Sequence, residues 1–132
     1  MIPKFRAWDK INKLMLEVML IDFKQRKVIG EHFQFGKTDN IPFDDVEIMQ
    51  STGICDKRGV KIFEKDIVKF SIDNGFEYIC DEIGFVYYCL GAYRILNGLD
   101  ETLINTNAYL ISDIDKIEVI GNIYENPELL DV

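Results

Sequence analysis

The chain has 132 residues, 48% apolar and 29% charged. That suffices for one domain with its own core and is too rich in aromatic and branched residues for a disordered segment. Lys and Arg number 15 against 23 Asp and Glu, a net charge of −8, which argues against gripping DNA or RNA by its phosphates, since that binding needs a basic surface.

Short apolar runs separated by turn residues predict a mainly β protein. Lys4–Trp8 reads as a strand with Lys4, Arg6 and Trp8 on one face. A polar turn follows at Asp9–Lys13, and the apolar run Leu14–Phe23 is a partly covered strand. Glu17 and Asp22 interrupt that run, so it cannot serve as a membrane span. The turn Lys24–Lys27 and the strand Val28–Phe35 complete an N-terminal meander over residues 1–35. The polar, Pro42-containing stretch 36–45 is expected as a linker to a second subdomain, 46–132, within a single domain of residues 1–132.

Val46–Gln50 resumes as a strand, and Thr52–Lys61 is a turn built on Asp56-Lys57-Arg58-Gly59, with Gly59 supplying positive φ. Ile67–Ile72 alternates, placing Val68, Phe70 and Ile72 on one face. Asp73-Asn74-Gly75 predicts a two-residue type I′ hairpin returning through Phe76–Ile83. Gly84 and Gly91 are expected to bend the sheet toward a small barrel. Phe85–Leu96 holds one or two further strands, then a turn at Asn97-Gly98 and a modest helix at Glu101–Asn107. Ile117–Tyr124 is the last strand, bulged at Gly121, and Asn126-Pro127-Glu128 opens a short terminal helix.

Cys55, Cys80 and Cys89 form no C-x-x-C pair, and Cys80 and Cys89 read as buried reduced thiols. Lys10, Lys13, Lys24, Arg26, Lys27, Lys57, Arg58 and Lys61 fall in turn-like segments and read as solvated charge. The opening Met1-Ile2-Pro3-Lys4-Phe5-Arg6 lacks an apolar signal region, so a cytoplasmic location is expected.

Three blocks resemble the YopX family of phage and prophage proteins. They are Lys4-Phe5-Arg6-Ala7-Trp8-Asp9, the run from Met49-Gln50-Ser51-Thr52-Gly53 through Asp56-Lys57-Arg58-Gly59 to Ile62-Phe63-Glu64-Lys65-Asp66-Ile67-Val68, and Glu118-Val119-Ile120-Gly121-Asn122-Ile123-Tyr124-Glu125-Asn126-Pro127-Glu128-Leu129-Leu130. The resemblance implies a small β-rich, self-associating protein of a bacterial host's phage or prophage, with no catalytic residues to carry over. The central run is also similar to the entry of small SH3-like barrels. Two positions depart from the family's habit. Arg58 precedes Gly59 where Asn is frequent, and Lys65 precedes Asp66 where Gly is frequent. If that second position needs positive φ, Lys65 costs about 1 kcal/mol.

No Walker loop, G-x-G-x-x-G or H-E-x-x-H motif occurs. The single histidine, His32, with Cys55 is the one nucleophile–base pair the sequence offers, and a structural or surface His is the favoured reading. The densest carboxylates, Asp44-Asp45 and Asp113 with Asp115, read as turn and cap residues. Arg6, Trp8 and Asp9, with Tyr124 and Glu125, are the candidate interaction surface. The competing and favoured reading has Trp8 anchoring a core or interface beneath Arg6. Gly53, Asp56, Gly59, Asp66, Gly121 and Asn126 are expected to shape turns.

Together these readings point to a non-enzymatic binding or self-assembly module without cofactor or metal. The expected partners are copies of itself or a host or phage protein, with nucleic acid and membrane disfavoured. The alternatives are an acidic DNA mimic that inhibits a host DNA-binding protein, and a small enzyme with an unidentified site.

Overall fold

The computed structural model describes residues 4–89, 91–97 and 107–130. These residues are mainly β: among them are twelve strands in two antiparallel sheets, with only single 3-10 turns besides. The chain forms two compact units, 1–51 and 52–132.

The first unit contains β1 (Phe5–Asp9), β2 (Leu14–Asp22), β3 (Lys27–His32), β4 (Gly36–Lys37), β5 (Ile41–Pro42) and the first half of β6 (Val46–Cys55). Its strands run in the order β4-β3-β2-β1-β6, and β5 also pairs with β3. Alternation buries Ala7, Val28 and Val46 as the core, with Val18, Ile41, Phe43 and Ile48 packed against them. Residues 36–45 are therefore not the linker expected from their polarity. Two short strands within them pair with β3, and Ile41 and Phe43 join the core. The unit boundary falls later, at Ser51 and Thr52. β3 is also shorter than expected, ending at His32 and leaving Phe33–Phe35 in a turn.

The second unit contains the rest of β6, β7 (Lys61–Phe63), β8 (Asp66–Asp73), β9 (Tyr78–Cys89), β10 (Ala92–Asn97), β11 (Asn107–Leu110) and β12 (Lys116–Asn122). Five of these form a sheet ordered β11-β10-β9-β8-β12. Both of its faces are apolar. Val68, Phe70, Ile72, Val86 and Ile95 build one cluster with Ile62, and Ile67, Phe85 and Leu96 build the other, covered by Ile123, Leu129 and Leu130. The face assigned to Val68, Phe70 and Ile72 by alternation is the face they occupy.

The barrel does not form: β12 lies beside β8 rather than β11, so the sheet stays open. Gly84 has a different role from the expected bend. A Cβ there would sit 2.5 Å from the Leu96 carbonyl oxygen, so the glycine lets β9 and β10 approach. The β8–β9 connection is a four-residue loop, Asn74–Glu77, instead of a type I′ turn. Only Gly75 of the Asn-Gly pair has positive φ, because the Asn74 side chain accepts the Phe76 and Glu77 N–H groups at 2.9 and 2.7 Å. The expected terminal helix is a single 3-10 turn, Pro127–Leu130. The helix expected at 101–107 lies outside the described residues except for Asn107, which begins β11. Gly98 of the expected Asn97-Gly98 turn also lies outside them.

Candidate functional site

The first conspicuous block closes on itself. Asp9 is buried, and its Oδ1 accepts the N–H groups of Ile11 and Asn12, both at 3.0 Å. Its Oδ2 accepts the Asn12 side-chain amide at 2.9 Å. The Lys13 N–H donates to the Asp9 carbonyl at 2.8 Å, which holds Lys13 at φ +58°. Asp9 thus spends its carboxylate on the β1–β2 turn. Trp8 is buried at 8% exposure and faces Met15 across the strand pair, while Arg6 is half-buried opposite Glu17.

The central block is organised by Asp56, whose side chain has no exposed surface. Oδ1 accepts the Arg58 and Val60 N–H groups at 2.8 and 2.9 Å, and Oδ2 accepts the Val119 N–H at 3.0 Å. Burial pushes the carboxyl up, but these three donors and the nearby Arg58 guanidinium outweigh it, so the pKa falls below the ordinary 3.8. Arg58 Nη2 donates to the Val119 carbonyl at 2.7 Å and Lys57 N–H to the Ile117 carbonyl at 3.2 Å. The turn therefore occupies the outer edge of β12. Gly59 takes φ +81° here, and Gly53 takes the same value inside β6. Buried Asp66 accepts the Phe63 N–H at 2.8 Å, closing the β7–β8 turn.

Lys65, in that turn, has φ +69°, so the position is left-handed and favours glycine. Its ammonium lies 4.2 Å from the Tyr87 ring centroid, a cation–π contact that offsets part of the strain.

The third block is a second closed loop. Asn122 Oδ1 accepts the Tyr124 and Glu125 N–H groups at 3.0 and 2.9 Å, and its amide donates to Glu125 Oε1 at 2.9 Å. Asn126 Oδ1 accepts the Asn122 N–H at 3.3 Å and lies over Gly121, where a Cβ would come within 2.5 Å of it. The register shift in β12 falls between Val119 and Gly121. Tyr124 is half-buried and Glu125 exposed.

Of the residues proposed as an interaction surface, then, Trp8 and Asp9 are buried, Arg6 and Tyr124 are half-buried, and Glu125 is exposed but tied to Asn122. The large side chains most offered to solvent are others: Phe33 at 89%, Phe23 at 76%, Phe35 at 70% and Ile11 at 69% in the first unit, Phe76 at 101% and Tyr78 at 74% in the second. The Asp73-Asn74-Gly75 signal located the hairpin, but Phe76 was read as the first residue of the returning strand and lies instead in the loop. Phe33 and Phe35 were hidden by the apparent length of β3.

His32 is buried, and Phe33 and Phe35 stack on it with centroids 4.6 and 5.0 Å away. Its Nδ1 accepts the Gln34 N–H at 3.1 Å, which puts the neutral ring's proton on Nε2. With Phe35, Leu14, Leu16 and Ile41, it lines an open cavity of about 490 Å³. Cys55 and Cys80 are exposed and Cys89 half-buried, all as free thiols. Cys80 thus departs from the buried position expected of an apolar strand run, since its side chain emerges from the outer part of β9. Among the described residues no group of three or more His, Cys, Asp or Glu side chains is placed to hold a metal ion. No helix among them is long and apolar enough to cross a membrane.

A two-sheet β protein whose marked polar residues close its own turns is what the fold and geometry define. The family model described as YopX protein matches residues 4–131, and the chain belongs to the YopX family. It is also similar to a solved structure, protein EF1440 from Enterococcus faecalis. The two share 32% identity with a TM-score of 0.62, covering 98% of this chain and 99% of the other. No curated protein matches.

Proposed function

We propose that this chain is a non-enzymatic binding or self-assembly module, encoded by a phage or prophage and acting in the cytoplasm of its bacterial host. The observation that carries this reading is how the family's blocks use their polar atoms. Asp9, Asp56, Asp66, Asn122 and Asn126 all turn them toward the protein's own backbone. Their chemistry supports a scaffold, and the scaffold presents exposed aromatic side chains from its turns.

A tagged pull-down from the host after nuclease treatment, with light scattering on the purified chain, tests this. A defined complex or oligomer is the expected result. A chain that stays monomeric and recovers no protein would refute the proposal.

Charge distribution favours one further reading, inhibition of a host DNA-binding protein by acidic mimicry. Residues 1–51 carry 8 basic and 8 acidic side chains, whereas residues 52–132 carry 7 and 15. The whole net charge of −8 therefore belongs to the second unit. Competition between this chain and DNA for the recovered partner separates mimicry from other binding.

A further inference from the structure

The second unit concentrates its charge around one hairpin. Asp73, Glu77 and Asp81 lie on or beside the β8–β9 loop, and Asp113 and Asp115 lie in and after the 3-10 turn that follows β11. The two groups meet: the Asp73 N–H donates to Asp115 Oδ2 at 2.6 Å, and the Asp115 N–H donates to the Ser71 carbonyl at 3.1 Å. All five carboxylates are on exposed residues. No cation lies within ion-pair distance of any of them among the described residues.

Two phenols stand beside these carboxylates, which add only a smaller part to shifts set first by burial at Tyr109 and by Cys80 at Tyr78. The Tyr109 pKa is raised by burial and then by Glu77 and Glu82. The Tyr78 pKa is raised by its hydrogen bond and proximity to Cys80, then by slight burial, Asp73 and Asp81.

Two features add to the charge. Phe76 projects fully exposed from the tip, with Tyr78 beside it, on a loop braced by the Asn74 side chain. A cavity of about 400 Å³ opens next to the loop, lined by Ile72, Asn74, Glu77, Arg94, Tyr109 and Asp113. Of the charged residues lining the recess Arg94 is the cation, and its Nε donates to the Cys89 carbonyl at 3.2 Å, while the carboxylates around it are in excess. An exposed aromatic anchor beside such a recess is the layout of a protein-docking site.

We propose that this hairpin end docks a basic polypeptide surface, with Phe76 as the apolar anchor and the carboxylates steering the partner in. The inference rests on the binding-module reading and names the partner's chemistry. Charge complementarity selects that occupant. Nucleic acid carries the same sign as the site, and a second copy brings a first unit with no net charge and a second unit that repels.

The test uses the full chain and two fluorescent peptides of equal positive charge, one built of Lys and Leu and one of Lys and Ser. The Lys–Leu peptide binds more tightly, and both bind more weakly as salt rises. Phe76→Ser lowers affinity for the Lys–Leu peptide about tenfold and leaves the Lys–Ser peptide unchanged. The triple variant Asp73→Asn, Glu77→Gln, Asp113→Asn weakens both. The charge-matched control Asp39→Asn, Asp44→Asn, Glu128→Gln stays within about twofold of the parent. None of these side chains holds a fold contact described above, and circular dichroism confirms folding.

Phe76→Ser binding like the parent, or the control losing as much as the triple variant, would overturn the proposal. Self-association abolished by Phe76→Ser would also overturn it, assigning the patch to a second copy. A pull-down whose partner is retained by Phe76→Ser removes this surface but leaves the module reading standing. Recovery of neither partner nor oligomer removes the module reading itself.

Discussion

Replacing Asp56 should expose how much of the second unit depends on one carboxylate. Asp56→Ala leaves three backbone N–H groups, those of Arg58, Val60 and Val119, without their acceptor. A buried donor left unsatisfied costs about 1–3 kcal/mol. These three sites are only partly buried, so the low end applies to each, and the sum is about 3 kcal/mol. Relief from burying a carboxylate returns about 1 kcal/mol. The expected net loss is about 2 kcal/mol, a large share of the roughly 5–15 kcal/mol that holds a domain.

Asp56→Asn is milder, about 1 kcal/mol, because its oxygen still serves Arg58 and Val60 while its amide opposes the Val119 N–H. Urea unfolding followed by circular dichroism measures both variants. Amide exchange at Val119 reports the local loss. The acid limb supplies an independent check. The folded pKa lies below 3.8, so the stabilisation is complete above the unfolded value and is lost as pH falls through the folded one. Below about pH 4 the parent should lose stability faster than Asp56→Asn. An alanine variant within about 0.5 kcal/mol of the parent, with Val119 protection intact, would refute the reasoning.

Lys65→Gly should be more stable than Lys65→Ala by about 1 kcal/mol, since both lose the Tyr87 contact and only glycine relieves φ +69°; equal urea midpoints would show that the turn relaxes around a Cβ. Gly121→Ala should cost about 1–3 kcal/mol by driving a Cβ into Asn126, and the cost should shrink when Asn126→Ala is already present. Strict additivity of that pair would remove the steric account. Ellman's reagent should label Cys55 and Cys80 in the folded chain well before Cys89. Labelling of all three at one rate would contradict their placement.

The strands were legible wherever alternation was strong: Val68, Phe70 and Ile72 share a buried face as their spacing requires. Turn residues were legible too, because Asp56 and Gly59 act through local backbone chemistry that a few neighbouring letters encode. Part of what resisted reading depended on contacts distant in sequence, and part on which way a short side chain bonds. The polar stretch 36–45 pairs with β3 through backbone groups that every residue carries. Arg6, Trp8 and Asp9 were read both as a surface and, by preference, as a covered anchor; the burial of Trp8 and Asp9 comes with the pairing of β1 to β2 and to the distant β6. The Asn-Gly pair signalled a hairpin correctly, but its loop length was set by the Asn74 side chain bonding forward to Phe76 and Glu77.

The occupation of β12 by the Asp56–Arg58 turn bears on how far any sheet-to-sheet growth could run. The Ile117 carbonyl and both backbone groups of Val119 are already taken. An incoming strand at that border would have to displace them first. The five-stranded sheet is in this respect like a polymer with one end terminated. Extension could therefore not alternate between two open borders, and any strand pairing through this sheet would stop at a closed pair instead of propagating into a fibre.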